Sequence, residues 1–246
     1  MFYMKKILLI SALCVFPVHA NVLVAVANNF YLPSQKLVEA FEKKTGEKVE
    51  ISTGSTGQLY AQIKNGAPFD IFLAADQARP KALHDEGLSF EPKTYAQGVL
   101  VLWSPQADLV DSQGDVLAGE DYTYIAVADP KLAPYGAAAM EALDHMGVQE
   151  AVTSRQVVGK GLNATYQYVD SGNAQLGFLA YSQVIAKVKQ NQGSFWKVPE
   201  DYYRPILQDA VLIKTAADNS QAVAFMDYLY SDEGRKLISD YGYSVQ

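Results

Sequence analysis

The chain has 246 residues, 49% of them hydrophobic and 19% charged, an ordinary globular composition that argues against disorder and allows one large domain or two modest lobes. Its formal net charge of −7, with no basic cluster, excludes a nucleic-acid-binding role. Any anion the chain binds is therefore held by local dipoles and not by overall charge.

Residues 1–20 read as a secretory signal peptide. Lys5 and Lys6 form a short basic region, and residues 7–16 an apolar run far short of the roughly 20 residues of a membrane span. Val18-His19-Ala20 then offers small residues at cleavage spacing. Cleavage after Ala20 and export to the periplasm are expected, leaving 18 basic against 27 acidic residues and a net charge of −9. The only cysteine, Cys14, lies inside this signal, and Ser11-Ala12-Leu13 before it fits a lipid-anchor pattern poorly. The mature chain is thus expected to have no disulfide, no thiolate nucleophile and no cysteine-based metal site. No later segment is long and apolar enough to span a membrane.

The mature region alternates strand and helix patterns. Residues 22–27 read as a short apolar strand. An amphipathic helix over 33–44 carries Leu37, Val38 and Phe41 on one face, with proline early and glycine (Gly46) just past its end. Strand 49–52, helix 58–65, strand 71–74 and helix 80–86 follow. A second series begins near Gly98: strands at 99–103 and 125–128, helices at 135–146 and 162–169, a buried strand at 176–179 and a helix at 183–189. A long apolar strand at 206–213 precedes two final helices, 221–229 and 231–240, with Ser231 a good N-cap followed by acids. Such alternation predicts an α/β fold with helices on the faces of a mostly parallel sheet. Periodicity alone leaves open whether there is one lobe or two.

Four loops share a feature that bears on function. Ala27-Asn28-Asn29-Phe30, Gly54-Ser55-Thr56-Gly57, Ala133-Pro134-Tyr135-Gly136 and Gly161-Leu162-Asn163-Ala164 each follow a strand or precede a helix, and each presents small or neutral polar groups. A helix N-terminus leaves backbone N–H groups unpaired and carries partial positive charge, so several aimed at one point make an anion site without a cationic side chain. Hydroxyls and amides add donors. None of the four loops contains Lys, Arg, Asp, Glu or His. Without a carboxylate to accept a ligand proton, a fully ionised dianion of the sulfate or molybdate type is preferred over hydrogen phosphate. Taken singly, each loop is an ordinary turn or helix start; only the combination points to a site.

The run from Gly54 through Asp76, with Gly54-Ser55-Thr56-Gly57, the Asn65-Gly66-Ala67-Pro68 turn and the Asp70-Ile71-Phe72-Leu73-Ala74-Ala75-Asp76 strand, resembles the periplasmic molybdate-binding proteins of ABC transporters. Asp129-Pro130 through Gly136, Ser171-Gly172-Asn173-Ala174-Gln175-Leu176-Gly177-Phe178 and Tyr202-Tyr203-Arg204-Pro205-Ile206 carry the likeness over nearly all of the mature chain. The resemblance implies a two-lobed, type II periplasmic-binding-protein-like fold, with hinged lobes built on mixed, mainly parallel sheets. One lobe would comprise residues 21–97 and 207–246, the other 98–206. It implies capture of molybdate or tungstate, no cofactor, no catalysis, a monomer, and delivery to a membrane permease powered by an ATPase. Matched loop by loop, it implies oxyanion contacts at Asn28, Asn29, Ser55 and Thr56 from the first lobe, and at Tyr135 and Leu162 from the second, the last two through backbone N–H. Thr56 stands where Ser is more common and Leu162 where Val is usual; both keep the donor.

Other chemistries find less support. The pair Tyr202-Tyr203 suggests a ferric-ion carrier, but ferric iron needs hard anionic oxygens and the four loops supply none. A hydrolase needs a nucleophile with a base, or a metal; there is no Gly-x-Ser-x-Gly elbow, and Ser55 has no evident partner base. Asp76 and Asp129 read as cap and turn residues. His84 and His145 sit on helices without a spaced partner, so metal is expected only as the oxyanion itself.

Overall fold

The computed structural model describes residues 21–245, so the signal expected over 1–20 lies outside the described residues. The chain begins with β1 (Val22–Ala27), α1 (Tyr31–Thr45), β2 (Val49–Gly54), α2 (Thr56–Lys64), β3 (Ile71–Leu73), α3 (Ala78–Asp85) and β4 (Lys93–Gly98). It continues through β5 (Leu100–Ser104), β6 (Ile125–Ala128), α4 (Pro134–His145), α5 (Gln149–Thr153), β7 (Gln156–Gly159), α6 (Leu162–Asp170), β8 (Leu176–Ala180), α7 (Tyr181–Lys189) and β9 (Ser194–Lys197). It closes with β10 (Ile206–Leu212), α8 (Ser220–Leu229) and α9 (Asp232–Asp240).

The strands form two five-stranded sheets, ordered β2-β1-β3-β10-β4 and β7-β6-β8-β5-β9. The two have one plan. Three parallel strands come first, with Val24 paired to both Ile51 and Ile71 in one sheet and Ile125 to both Gln156 and Leu176 in the other. Next comes an antiparallel strand that has crossed from the other lobe: β10 in the first sheet, β5 in the second. The last strand, β4 or β9, pairs antiparallel with that crossing strand. The result is a two-lobed α/β fold in which the chain passes between lobes at β4–β5 and again at β9–β10.

Burial follows from the sequence pattern. Central strands with helices on both faces must be apolar throughout, and β3, β6 and β8 are buried along their whole length. One face of the first sheet packs Phe30, Leu37, Phe41 and Phe225, and the other packs Leu59, Ile63, Phe72 and Leu83. The second lobe is built around Trp103, Leu143 and Phe178, and its core reaches across to Ala27 and Ala75 of the first. The expected caps form: Gly46 ends α1 in the left-handed region with its N–H on the Glu42 carbonyl, and the Ser231 hydroxyl accepts from Gly234 N–H at 3.1 Å. Asp76 accepts from Arg79 N–H at 3.0 Å and Asp129 from Lys131 N–H at 2.9 Å, both as cap and turn residues.

Three strands, β4, β7 and β9, and the short helix α5 carry no clear sequence signal. All three strands are sheet edges. Lys93-Thr94-Tyr95-Ala96-Gln97-Gly98 and Ser194-Phe195-Trp196-Lys197 hold only two adjacent apolar residues each between polar ones, which gives neither an apolar run nor a strict alternation. Among the described residues no helix is long and apolar enough to cross a membrane.

Candidate functional site

Ligands of open parallel sheets gather beyond the carboxyl ends of the strands, and here loops from both lobes meet at such a point. Asn28 and Asn29 follow β1 in a short 3-10 turn, and Ser55 and Thr56 follow β2 at the start of α2. Tyr135 lies in the first turn of α4 and Leu162 opens α6. These six residues, which come from four separate segments, line one cavity together with Ala27, Ala75, Ala133 and Pro134. It is far smaller than the roughly 300–1,000 Å³ of pockets for drug-sized ligands, so a compact ligand is the match. No side chain on its wall is an acid, a base or a histidine.

At the α2 N-terminus, Ser55 N–H donates to Gln58 Oε1 at 3.2 Å, Gln58 N–H to Ser55 Oγ at 3.4 Å, and Gly57 N–H to the Leu132 carbonyl of the other lobe at 2.9 Å. Thr56 N–H is left without a partner among the described residues. The Thr56 hydroxyl accepts from Ala75 N–H at 3.1 Å, which leaves its own proton for the cavity. At the α4 N-terminus, Ala133 N–H reaches Asp129 O at 2.8 Å, Pro134 has none, and Gly136 N–H reaches Ala133 O at 2.9 Å. That leaves Tyr135 N–H. Leu162 N–H is likewise unpaired among the described residues, at the first position of α6.

Two of the six residues have side chains already engaged in hydrogen bonds within the protein. The Asn29 amide is already committed: its Nδ2 donates to Gln208 Oε1 at 2.8 Å and to the Tyr243 hydroxyl at 2.9 Å. Its carbonyl oxygen on the backbone accepts from Ser182 Oγ and Tyr243 OH, both at 2.8 Å. The amide nitrogen of the Asn29 side chain and its backbone carbonyl are thus both occupied, which leaves the backbone N–H as its donor for a ligand. The Ser55 hydroxyl caps α2 and donates to Gln58 Oε1 at 2.9 Å, so it too is engaged within its own helix. Asn28, by contrast, is half-buried and its side-chain amide has no hydrogen bond among the described residues.

Beneath the cavity lies a buried polar layer that sequence reasoning missed. Gln208 of β10 is fully buried; it accepts from Asn29 and from the Tyr95 hydroxyl at 3.1 Å, and donates to the Tyr135 hydroxyl at 3.3 Å. Burial pushes the Tyr95 and Tyr135 phenols well above their usual range and that of Tyr243 up to about 12, so all three remain neutral. The polar pair Gln208-Asp209 within the otherwise apolar β10 was the one readable sign of this layer. Ser182 and Tyr243, which reach it from α7 and the C-terminus, left none.

Gly161 shows how closely the loops approach. A Cβ there would meet Asn28 Nδ2 at 2.6 Å and Ser55 Cβ at 3.2 Å, across the gap between the lobes. The two lobes are closed on the cavity. Beside it opens a wider groove lined by Asp76, Arg79, Glu141 and Arg204, whose charges are paired as Arg79–Asp76 and Arg204–Glu141. The tyrosine pair that suggested iron is divided: Tyr202 stacks on His145 with ring centres 4.1 Å apart, and the Tyr203 hydroxyl accepts from Leu100 N–H at 3.3 Å. Neither lines the cavity, and burial raises the Tyr203 phenol, against the tyrosinate that iron requires.

Two α/β lobes closed on a small cavity of neutral donors have the form of a solute-binding protein. The family model described as bacterial extracellular solute-binding protein matches residues 22–244. The molybdate-binding protein ModA of Azotobacter vinelandii is 47% identical over 229 residues, covering 92% of this chain and 91% of that protein. That of Rhodobacter capsulatus is 46% identical over 228 residues, covering 92% and 89%. The solved periplasmic molybdate-binding protein of Azotobacter vinelandii superposes with a TM-score of 0.89 at 39% identity, covering 92% of this chain and 99% of that one. The chain belongs to the molybdate-binding protein ModA family of bacterial extracellular solute-binding proteins.

Proposed function

We propose that the chain captures molybdate or tungstate in the cavity and delivers it to the membrane permease and ATPase of an ABC importer. The observation that carries this reading is a wall that offers donors and no ionised acceptor. The ligand would be held by the Asn28 side chain, by the backbone N–H of Asn29, by both the N–H and the hydroxyl of Thr56, and by the N–H groups of Tyr135 and Leu162. Ser55 contributes by capping the helix that presents Thr56. Three helix N-termini add their partial positive charge at the same point. Hydrogen bonds to an ionised ligand contribute about 1.5–3 kcal/mol each, so six of them support tight binding without a cationic side chain.

The resemblance to relatives named for molybdate supports the choice of oxyanion, and the small cavity supports a compact, roughly spherical one. The lobes would comprise residues 21–97 with 207–246, and 98–206, turning about the two crossings. Export by the 1–20 signal, cleaved after Ala20, would leave a monomer in the periplasm. Calorimetric titration of the mature, ligand-stripped protein tests the reading. One-to-one binding of molybdate and tungstate, with sulfate and phosphate weak or silent, is expected; a signal from sulfate or phosphate alone would keep the clamp and change its cargo.

A further inference from the structure

Closure of the lobes brings together more than ligand donors. Arg79, in the first turn of α3, is gripped within its own lobe by the Asp76 carboxylate. Its other terminal nitrogen, Nη2, reaches across the cleft and donates to the backbone carbonyl of Lys131 at 2.7 Å. One residue further on, the Leu132 carbonyl accepts from Gly57 N–H at 2.9 Å. The receiving loop is held in shape by Asp129, whose carboxylate takes Lys131 N–H at 2.9 Å and whose backbone oxygen takes Leu132 N–H at 3.1 Å and Ala133 N–H at 2.8 Å. With the amides of the turn drawn onto Asp129, two successive carbonyls are left to face the first lobe. A Cβ at Gly57 would stand 3.1 Å from Leu132 Cα and 3.2 Å from Arg79 Nη2, so the approach depends on the glycine hydrogen.

The structure assigns Arg79 and Gly57 the role of a cross-cleft latch, a pair of positioning residues that holds the lobes shut without touching the ligand. Arg79 lines the outer groove and not the donor cavity, and its charge is balanced by Asp76, so it offers the oxyanion no free cation. Planar guanidinium suits this double duty, because one edge can grip a carboxylate while the remaining N–H groups bridge elsewhere; a lysine ammonium lacks that fork. The latch forms only after the lobes close. It therefore acts on ligand release, and it acts equally on every oxyanion the cavity accepts.

This inference rests on the oxyanion-capture reading, and stopped-flow kinetics with molybdate and tungstate separates the two. If the unaltered protein binds neither, the capture reading fails and the latch has no ligand to retain. If it binds them, Arg79→Ala is expected to raise both dissociation rates by the same factor, on the order of 3–10-fold for a half-exposed charged hydrogen bond, with association rates unchanged. Arg79→Lys keeps the partner of Asp76 and should leave the melting temperature of the ligand-free protein in place, yet release ligand faster as well. Unchanged release in both variants would overturn the latch. So would a change in the molybdate-to-tungstate ratio, which would mean that Arg79 senses the ligand itself.

Discussion

Ala75 donates its backbone N–H to Oγ1 of Thr56 at 3.1 Å, and Thr56 is 1% exposed. A hydroxyl that accepts from one side has a single proton to give, and the cavity is the open direction for it. Thr56→Ser should bind molybdate within about threefold of the unaltered protein. Thr56→Val keeps the shape but loses the proton and orphans Ala75 N–H, and should weaken binding about tenfold or more, as expected for loss of one charged hydrogen bond. Titration calorimetry on the pair decides it; a Val variant that binds normally removes Thr56 from the donor set.

The two asparagines should separate cleanly. Asn29 is buried and its amide joins Gln208 to Tyr243, so Asn29→Ala should lower the stability of the ligand-free protein by about 1–3 kcal/mol, the cost of unpaired buried partners. Asn28 has no such partners, and Asn28→Ala should weaken binding while leaving the denaturation midpoint of the ligand-free protein unchanged. A reversed pattern in urea melts would exchange the two roles.

Because the wall carries no acid, base or histidine, affinity for a fully ionised oxyanion should stay level from about pH 6 to 9. Stability has its own dependence at high pH. Burial raises the Tyr243 phenol from 10.0 to about 12 in the folded chain. The unfolded chain then loses that proton first, so the contribution is whole below pH 10 and lost as pH rises through about 12. Tyr243→Phe should flatten this alkaline decline in thermal melts; an equal slope in both proteins would show that Tyr243 does not carry it.

Gly161→Ala tests whether closure sets retention. Its Cβ would meet Asn28 Nδ2 at 2.6 Å only when the lobes are shut. The variant should melt like the parent without ligand, associate at the parental rate and release molybdate at least several-fold faster. Parental release would mean that the loops have room that the closed geometry denies them.

The sequence made the site more legible than its support. All six expected residues line one cavity, because each sits where a strand ends or a helix begins, and helix ends announce themselves through Gly, Pro, Ser and Asn. How each residue uses its atoms was not legible. Asn29 and Ser55 look like free donors until Gln208, Tyr243 and Gln58 are brought beside them, and two of those partners lie far along the chain. Central strands were plain as apolar runs, whereas β4, β7 and β9 hold only two adjacent apolar residues each, too short a run to stand out. Arg79 reads as an ordinary helix cation, and only the folded loop at Lys131 reveals its second partner.

The most direct test of the donor-cavity account is a crystal structure of the mature protein grown with tungstate, with anomalous scattering used to find the metal. The account predicts one strong peak between the N–H groups of Asn29, Thr56, Tyr135 and Leu162, within hydrogen-bonding reach of the Thr56 hydroxyl and the Asn28 amide through the ligand's oxygens. A peak in the charged groove between Arg79 and Arg204, with the small cavity holding only water, would contradict it.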